Sequence, residues 1–169
     1  MIIQAIETSI TREDANKIVG RVSAGFIPQV QKLIYYPYFW VHFEYEVKTI
    51  LGKRKVDAYT LVDLLENQAS TADRFETIEV EEDNENILDP DVDLDSAMKT
   101  AQTYLVHSAV HEAKSLIFPK SEVKKSLVMY KPFWIVRCEN SKKERFRVIV
   151  DTVTGKFEIL NIEEQVVYE

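Results

Sequence analysis

The sequence predicts an α+β fold made of two diverged copies of one unit, a helix followed by antiparallel strands. Three observations carry this. Apolar residues recur at three-and-four spacing in two separate stretches, and each stretch is followed by runs rich in aromatic and β-branched residues with turn residues between them. Matched sequence stations also recur in the same order after each helical stretch.

The first helix is expected over Thr11 to Gly25, because Ala15, Ile18, Val19, Val22 and Phe26 line one helical face. Thr11 with Asp14 supplies a start, and Gly25 with Pro28 a stop. A connector, 27–32, leads to an aromatic strand from Leu33 to Val47, and the turn at Gly52 returns the chain near Val56 to Val62 as a hairpin. From Glu66 to Asp95 the composition turns acidic, interrupted by the alternating segment 74–80, which reads as an exposed strand. Asn84 to Asp93 reads as a loop. A second helix is expected from Leu94 to about Leu116, with Asp93 or Asp95 as cap and Pro119 as stop. Strands then follow at Leu127 to Cys138, Arg145 to Val150 and Phe157 to Ile162.

The repeat is read from Phe26-Ile27-Pro28 against Ile117-Phe118-Pro119, from Tyr36 with Phe39-Trp40-Val41 against Tyr130 with Phe133-Trp134-Ile135, and from Val62-Asp63 against Val150-Asp151. Residues 1–70 and 89–169 are therefore expected as the two helix-plus-sheet repeats, with 71–88 an acidic linker holding an edge strand. One feature conflicts with this gapless match. The more apolar face holds Phe39, Val41, Phe43 and Tyr45 in the first copy but Trp134, Val136 and Cys138 in the second, which implies a bulge or a sheet covered on both sides.

A capped helix, an aromatic strand containing Trp, and a strand ending Val-Asp-x-x-Thr-Gly-Lys resemble the PepSY-type domain, here as a tandem pair. The residues that carry the resemblance are Thr11 to Ala15, Trp40, Trp134 and Val150 to Lys156, and it covers about two thirds of the chain. The first copy has Asn67 where the second has the turn glycine. The resemblance implies a non-enzymatic binding or regulatory role and supplies no catalytic residues. Helices on one face of such a sheet would also resemble a cystatin-like arrangement.

A formal net charge of −7 opposes general nucleic-acid binding, which needs clustered cations. The compact basic run Lys53-Arg54-Lys55 reads as a solvated hairpin turn. With four glycines and no phosphate-cradling cluster, a nucleotide enzyme is not expected, and no cofactor is predicted. No stretch approaches the ~20 apolar residues of a bilayer span, no export signal is read at Met1 to Ile10, and the single cysteine suits a reducing compartment. The expected location is the cytoplasm.

Tyr36, Tyr38, Trp40 and His42 share one strand face and, with Trp134, form the candidate binding set for a protein or peptide, provided the second helix does not cover them. His107 and His111, four apart on the second helix, are the candidate metal ligands, with Glu112 or His42 as further donors. Asp89, Asp91, Asp93 and Asp95 resemble a calcium loop but lack its glycine and terminal Glu, so they read as a solvated linker. Cys138 reads as a buried thiol rather than a nucleophile. The expected function is a non-catalytic binding module. A metal-binding protein or metal-dependent hydrolase, and a small-ligand pocket between helix and sheet, stand as alternatives. Edge strands leave homodimer formation open.

Overall fold

The computed structural model describes residues 1–113 and 120–163. Among these residues the fold is α+β, with two α-helices, a short 3-10 helix at Asn84–Asn86 and a large mixed sheet of eight strands. The elements are β1 (Ile2–Ala5), α1 (Arg12–Val22), β2 (Ile27–Thr49), β3 (Gly52–Asp63), β4 (Ala69–Thr71), β5 (Ile78–Glu81), α2 (Leu94–Ala113), β6 (Ser121–Glu139), β7 (Arg145–Asp151) and β8 (Phe157–Glu163). The expected end of the second helix, beyond residue 113, and Pro119 lie outside the described residues.

The chain divides into two compact units, one of residues 1–36, 77–88 and 130–169, the other of 37–76 and 89–129. These units do not coincide with the spans 1–70 and 89–169. The pairings give the reason. β3 returns along Tyr38 to Thr49 of β2, so the part of β2 within the first unit, where Val30 packs beside α1, has no returning partner in β3. The apolar stripe of α1 is buried instead against strands from the C-terminal half.

In the first unit, Thr11 caps α1: its Oγ1 accepts the Asp14 N–H at 3.1 Å, and Asp14 Oδ2 accepts the Thr11 N–H at 3.1 Å. Ala15 and Val19 then pack with Val30, Val136, Cys138, Val148 and Val150. β6 pairs with β7 from Phe133↔Asp151 to Glu139↔Arg145, and β7 pairs with β8 through a register shift at Arg147/Val148. β1, which has no pattern of its own in the sequence, pairs antiparallel with β5 and meets β6 in parallel at Ala5↔Tyr130. β5, at Ile78–Glu81, overlaps the C-terminal end of the stretch 74–80 expected as an exposed strand.

In the second unit, the β2–β3 hairpin is covered by α2. Phe39, Val41, Phe43 and Tyr45 join Val62, Leu64, Ala97, Ala101, Leu105 and Ala109 in one core. Among the described residues, three of the four buried side chains of α2 are alanine, which lets the helix axis lie close to the strands. Asp93 caps α2, its Oδ1 accepting the Ser96 N–H at 2.9 Å and its backbone oxygen the Ala97 N–H at 3.0 Å. Asp93 is thereby a helix cap rather than part of a calcium loop.

The hairpin registers remove the face conflict without any bulge. Tyr38 faces Asp63, and Phe133 faces Asp151. Counted from these aspartates, Phe39 corresponds to Trp134, Val41 to Val136 and Phe43 to Cys138, all on the helix-facing side. The gapless match of Trp40 to Trp134 is therefore one residue out, and the two tryptophans occupy opposite strand faces.

Candidate binding surface

Strand alternation sends even-numbered residues of β2 and odd-numbered residues of β3 to the face away from α2. The second helix thus covers Phe39, Val41 and Phe43, not the Tyr38, Trp40, His42 face. On that outer face the Trp40 and Tyr59 rings stack at 5.6 Å and 21°, and His42 stacks on Tyr59 at 4.6 Å and 28°. His42 Nε2 lies 2.8 Å from Asp57 Oδ1, which fixes the imidazole at the outer end of the ladder.

Trp40 is not a platform open to solvent. It is 5% exposed, and its Nε1–H donates to the Asp73 carbonyl at 3.0 Å, which ties the chain after β4 to the edge of its ring. Tyr38, His42 and Tyr59 remain half-buried. Tyr36 falls in the first unit, where its ring meets Phe133 edge-on at 6.1 Å. Trp134 also belongs to the first unit and faces its helix. Its Nε1–H donates to the Ile10 carbonyl at 2.7 Å, and the Arg12 guanidinium lies 6.0 Å from its ring centre.

Of the five residues expected to form one site, then, Trp40 and His42 share a ladder, Tyr38 lies on the same face, and Tyr36 and Trp134 belong to another environment. The ladder gains Tyr59, which the sequence reading did not single out. Counting back from the Ile50-Leu51 turn places Tyr59 directly opposite His42, so the signal was present in the hairpin register.

His107 and His111 are exposed on α2. His107 lines a depression of about 410 Å³ with Ala69, Lys99, Thr100, Thr103 and Tyr104. His42 lies on the hairpin face away from this helix and cannot join them, and the Glu112 side chain is outside the described residues. Among the described residues, no group of three or more His, Cys, Asp or Glu is placed to hold a metal ion.

Cys138 is buried in the first unit's core, and burial pushes its thiol pKa up, against a smaller opposing effect of the Ser23 hydroxyl. A second cavity, of about 270 Å³, opens between the end of α1 and β7–β8, lined by Val19, Val22, Phe26, Phe146, Phe157 and Ile159 among others. Among the described residues, no helix is long and apolar enough to cross a membrane. No protein-family model, curated protein or solved structure matches the chain.

Proposed function

We propose that this chain is a non-catalytic cytoplasmic module that binds a protein or peptide across the outer face of β2–β3. The observation that carries the reading is the Trp40–Tyr59–His42 ladder. Trp40 and Asp57 fix it from both ends, and Tyr38, His42 and Tyr59 remain partly open to a ligand. Pre-stacked rings lose little freedom on binding, and the His42 imidazole and the Tyr59 phenol offer hydrogen bonds at the rim. Peptides selected by phage display on the intact chain test the proposal. They should lose at least about tenfold in affinity on Tyr59→Ala or His42→Ala, since truncating a contact anchor costs more than about 1.4 kcal/mol. Peptides indifferent to both substitutions would move the site elsewhere.

A second reading, a small apolar ligand, is favoured by the cavity beside α1, whose lining is mostly aliphatic and aromatic. A fluorescent apolar dye taken up there should be excluded by Ala24→Trp, which fills the mouth; unchanged uptake would count against this reading.

For the fold, we infer two diverged repeats that have exchanged helices, each helix lying on the other repeat's hairpin. The matching turns support it. Asp63 accepts the Leu65 and Glu66 N–H groups at Oδ1 and the Asn67 N–H at its backbone oxygen, and Asp151 does the same for Val153, Thr154 and Gly155. The second of these turns falls within Val150 to Lys156, one of the stretches that carry the PepSY-type likeness.

A further inference from the structure

The tip of the β2–β3 hairpin presents Ile50 and Leu51 at 103% and 99% exposure. Turn geometry does not ask for them. Non-glycine residues with positive φ among the described residues are Asn67 and Lys143, so Ile50 and Leu51 hold ordinary backbone conformations that polar residues would fill equally well. The turn is closed behind them by the Thr49 hydroxyl donating to the Gly52 carbonyl at 2.8 Å. Two aliphatic side chains are thus held outward on a fixed loop where they contribute nothing to a core.

The charge around them is equally uneven. Residues 47–56 contain Lys48, Lys53, Arg54 and Lys55 and no acid, a local +4 in a chain of net −7, so the remaining residues sum to −11. Lys48 and Lys53 stand directly opposite each other in the ladder, a like-charge pairing that costs stability unless an anion lies nearby. Glu44 reaches Lys55 at 3.5 Å and Lys124 at 3.6 Å, but among the described residues no carboxylate pairs with Lys48, Lys53 or Arg54.

We propose that this hairpin tip docks on an anionic bilayer surface, Ile50 and Leu51 entering the interface and the cations engaging lipid phosphates. The dimensions suit this. At strand rise, Lys48 sits roughly 7 Å behind Ile50, and Arg54 and Lys55 roughly 10–13 Å behind Leu51, which matches an apolar tip about 5–10 Å deep with cations in the headgroup layer. A second copy docking tip to tip is a poor occupant, since two +4 tips repel. Single-stranded nucleic acid would use the cations but would call for a stacking ring where Ile50 and Leu51 stand. An acidic protein would have to offer a socket shaped for a protruding pair, which a fluid interface does not require. The proposal does not depend on the aromatic face.

Sedimentation of the intact chain with vesicles tests it, comparing phosphatidylcholine alone with phosphatidylcholine containing phosphatidylserine. Binding is expected only to the acidic vesicles and should weaken as salt rises. Lys53→Gln with Arg54→Gln should reduce partitioning by about fivefold per cation removed. Ile50→Ser with Leu51→Ser, which leaves every charge in place, should reduce it at least as much. The variant Leu51→Trp should shift its emission to the blue on acidic vesicles. Thermal melts of each variant check that the hairpin is intact, since all four positions are exposed. Absence of binding to acidic vesicles would overturn the proposal. So would binding that survives the serine pair, which would assign the cations to an acidic macromolecule instead.

Discussion

Lys131 Nζ lies 2.6 Å from Asp151 Oδ2, while Asp151 Oδ1 accepts the Val153 N–H at 2.8 Å. Burial raises the Asp151 pKa, but the Lys131 hydrogen bond, the Val153 N–H and the Thr154 hydroxyl together outweigh it and hold the carboxyl below its ordinary value. A carboxyl depressed in the folded state stabilises the fold above about pH 4, and that contribution is lost as pH falls through the folded pKa. Asp151→Asn should cost roughly 1–3 kcal/mol at neutral pH and make stability fall less steeply below pH 4 in denaturant titrations. The slope should not vanish, since the cap hydrogen bonds from Thr11 and Ser96 lower Asp14 and Asp93 in the same direction.

Gly155 and Asn67 occupy matching turn positions with φ of 72° and 56°. An added Cβ on Gly155 would lie 3.4 Å from Ile18 Cδ1, an ordinary contact, so the penalty comes from the backbone. Gly155→Ala should lose about 1–2 kcal/mol by chemical denaturation. Asn67→Gly keeps the conformation and gives up only the hydrogen bond from the Thr100 hydroxyl at 2.8 Å, so it should cost less than about 1 kcal/mol.

Trp40→Phe keeps most of the ring stack but strips the donor from the Asp73 carbonyl. The expected cost is about 1–2 kcal/mol. Hydrogen exchange should quicken around residues 72–76 while the α2 core stays protected. Equal protection in both proteins would mean that the Trp40 hydrogen bond does not hold this segment.

Cys138 is buried and its thiol pKa is raised, so the native protein should react with a thiol reagent far more slowly than the denatured one. Because it is the single cysteine, labelling should follow the unfolding transition of the first unit's core. Rapid labelling without denaturant would show that this core opens locally.

Both helix starts were legible in the sequence because their signals are local: Thr11 with Asp14 and Asp93 with Ser96 act within one turn. The hairpins were legible because Gly52 and Gly155 punctuate alternating runs. Pro28 looks like a boundary and makes the strand that starts at Ile27 read as a connector, yet proline is tolerated near the start of a strand. β1 was missed because a four-residue strand owes its existence to partners far along the chain. The identity of the hairpin under each helix was illegible for the same reason. The aromatic likeness of Trp40 and Trp134 misled, since side-chain chemistry matched while strand phase did not. Trp40 and His42 were found as a pair, but Tyr59 required the register to be counted, and the cover over Trp40 comes from an acidic stretch with no pattern of its own.

The division of β2 and β6 between the units has a temporal consequence. Val19 on α1 leaves the ribosome about 130 residues before Val148 and Val150, against which it packs. At ordinary elongation rates this leaves the apolar stripe of α1 uncovered for roughly 6–25 s, well beyond the lifetime of an isolated 11-residue helix. The nascent chain must therefore carry an unsatisfied segment until the strands that cover it are made, which makes the interval before β7 emerges the period when a chaperone has most to shield.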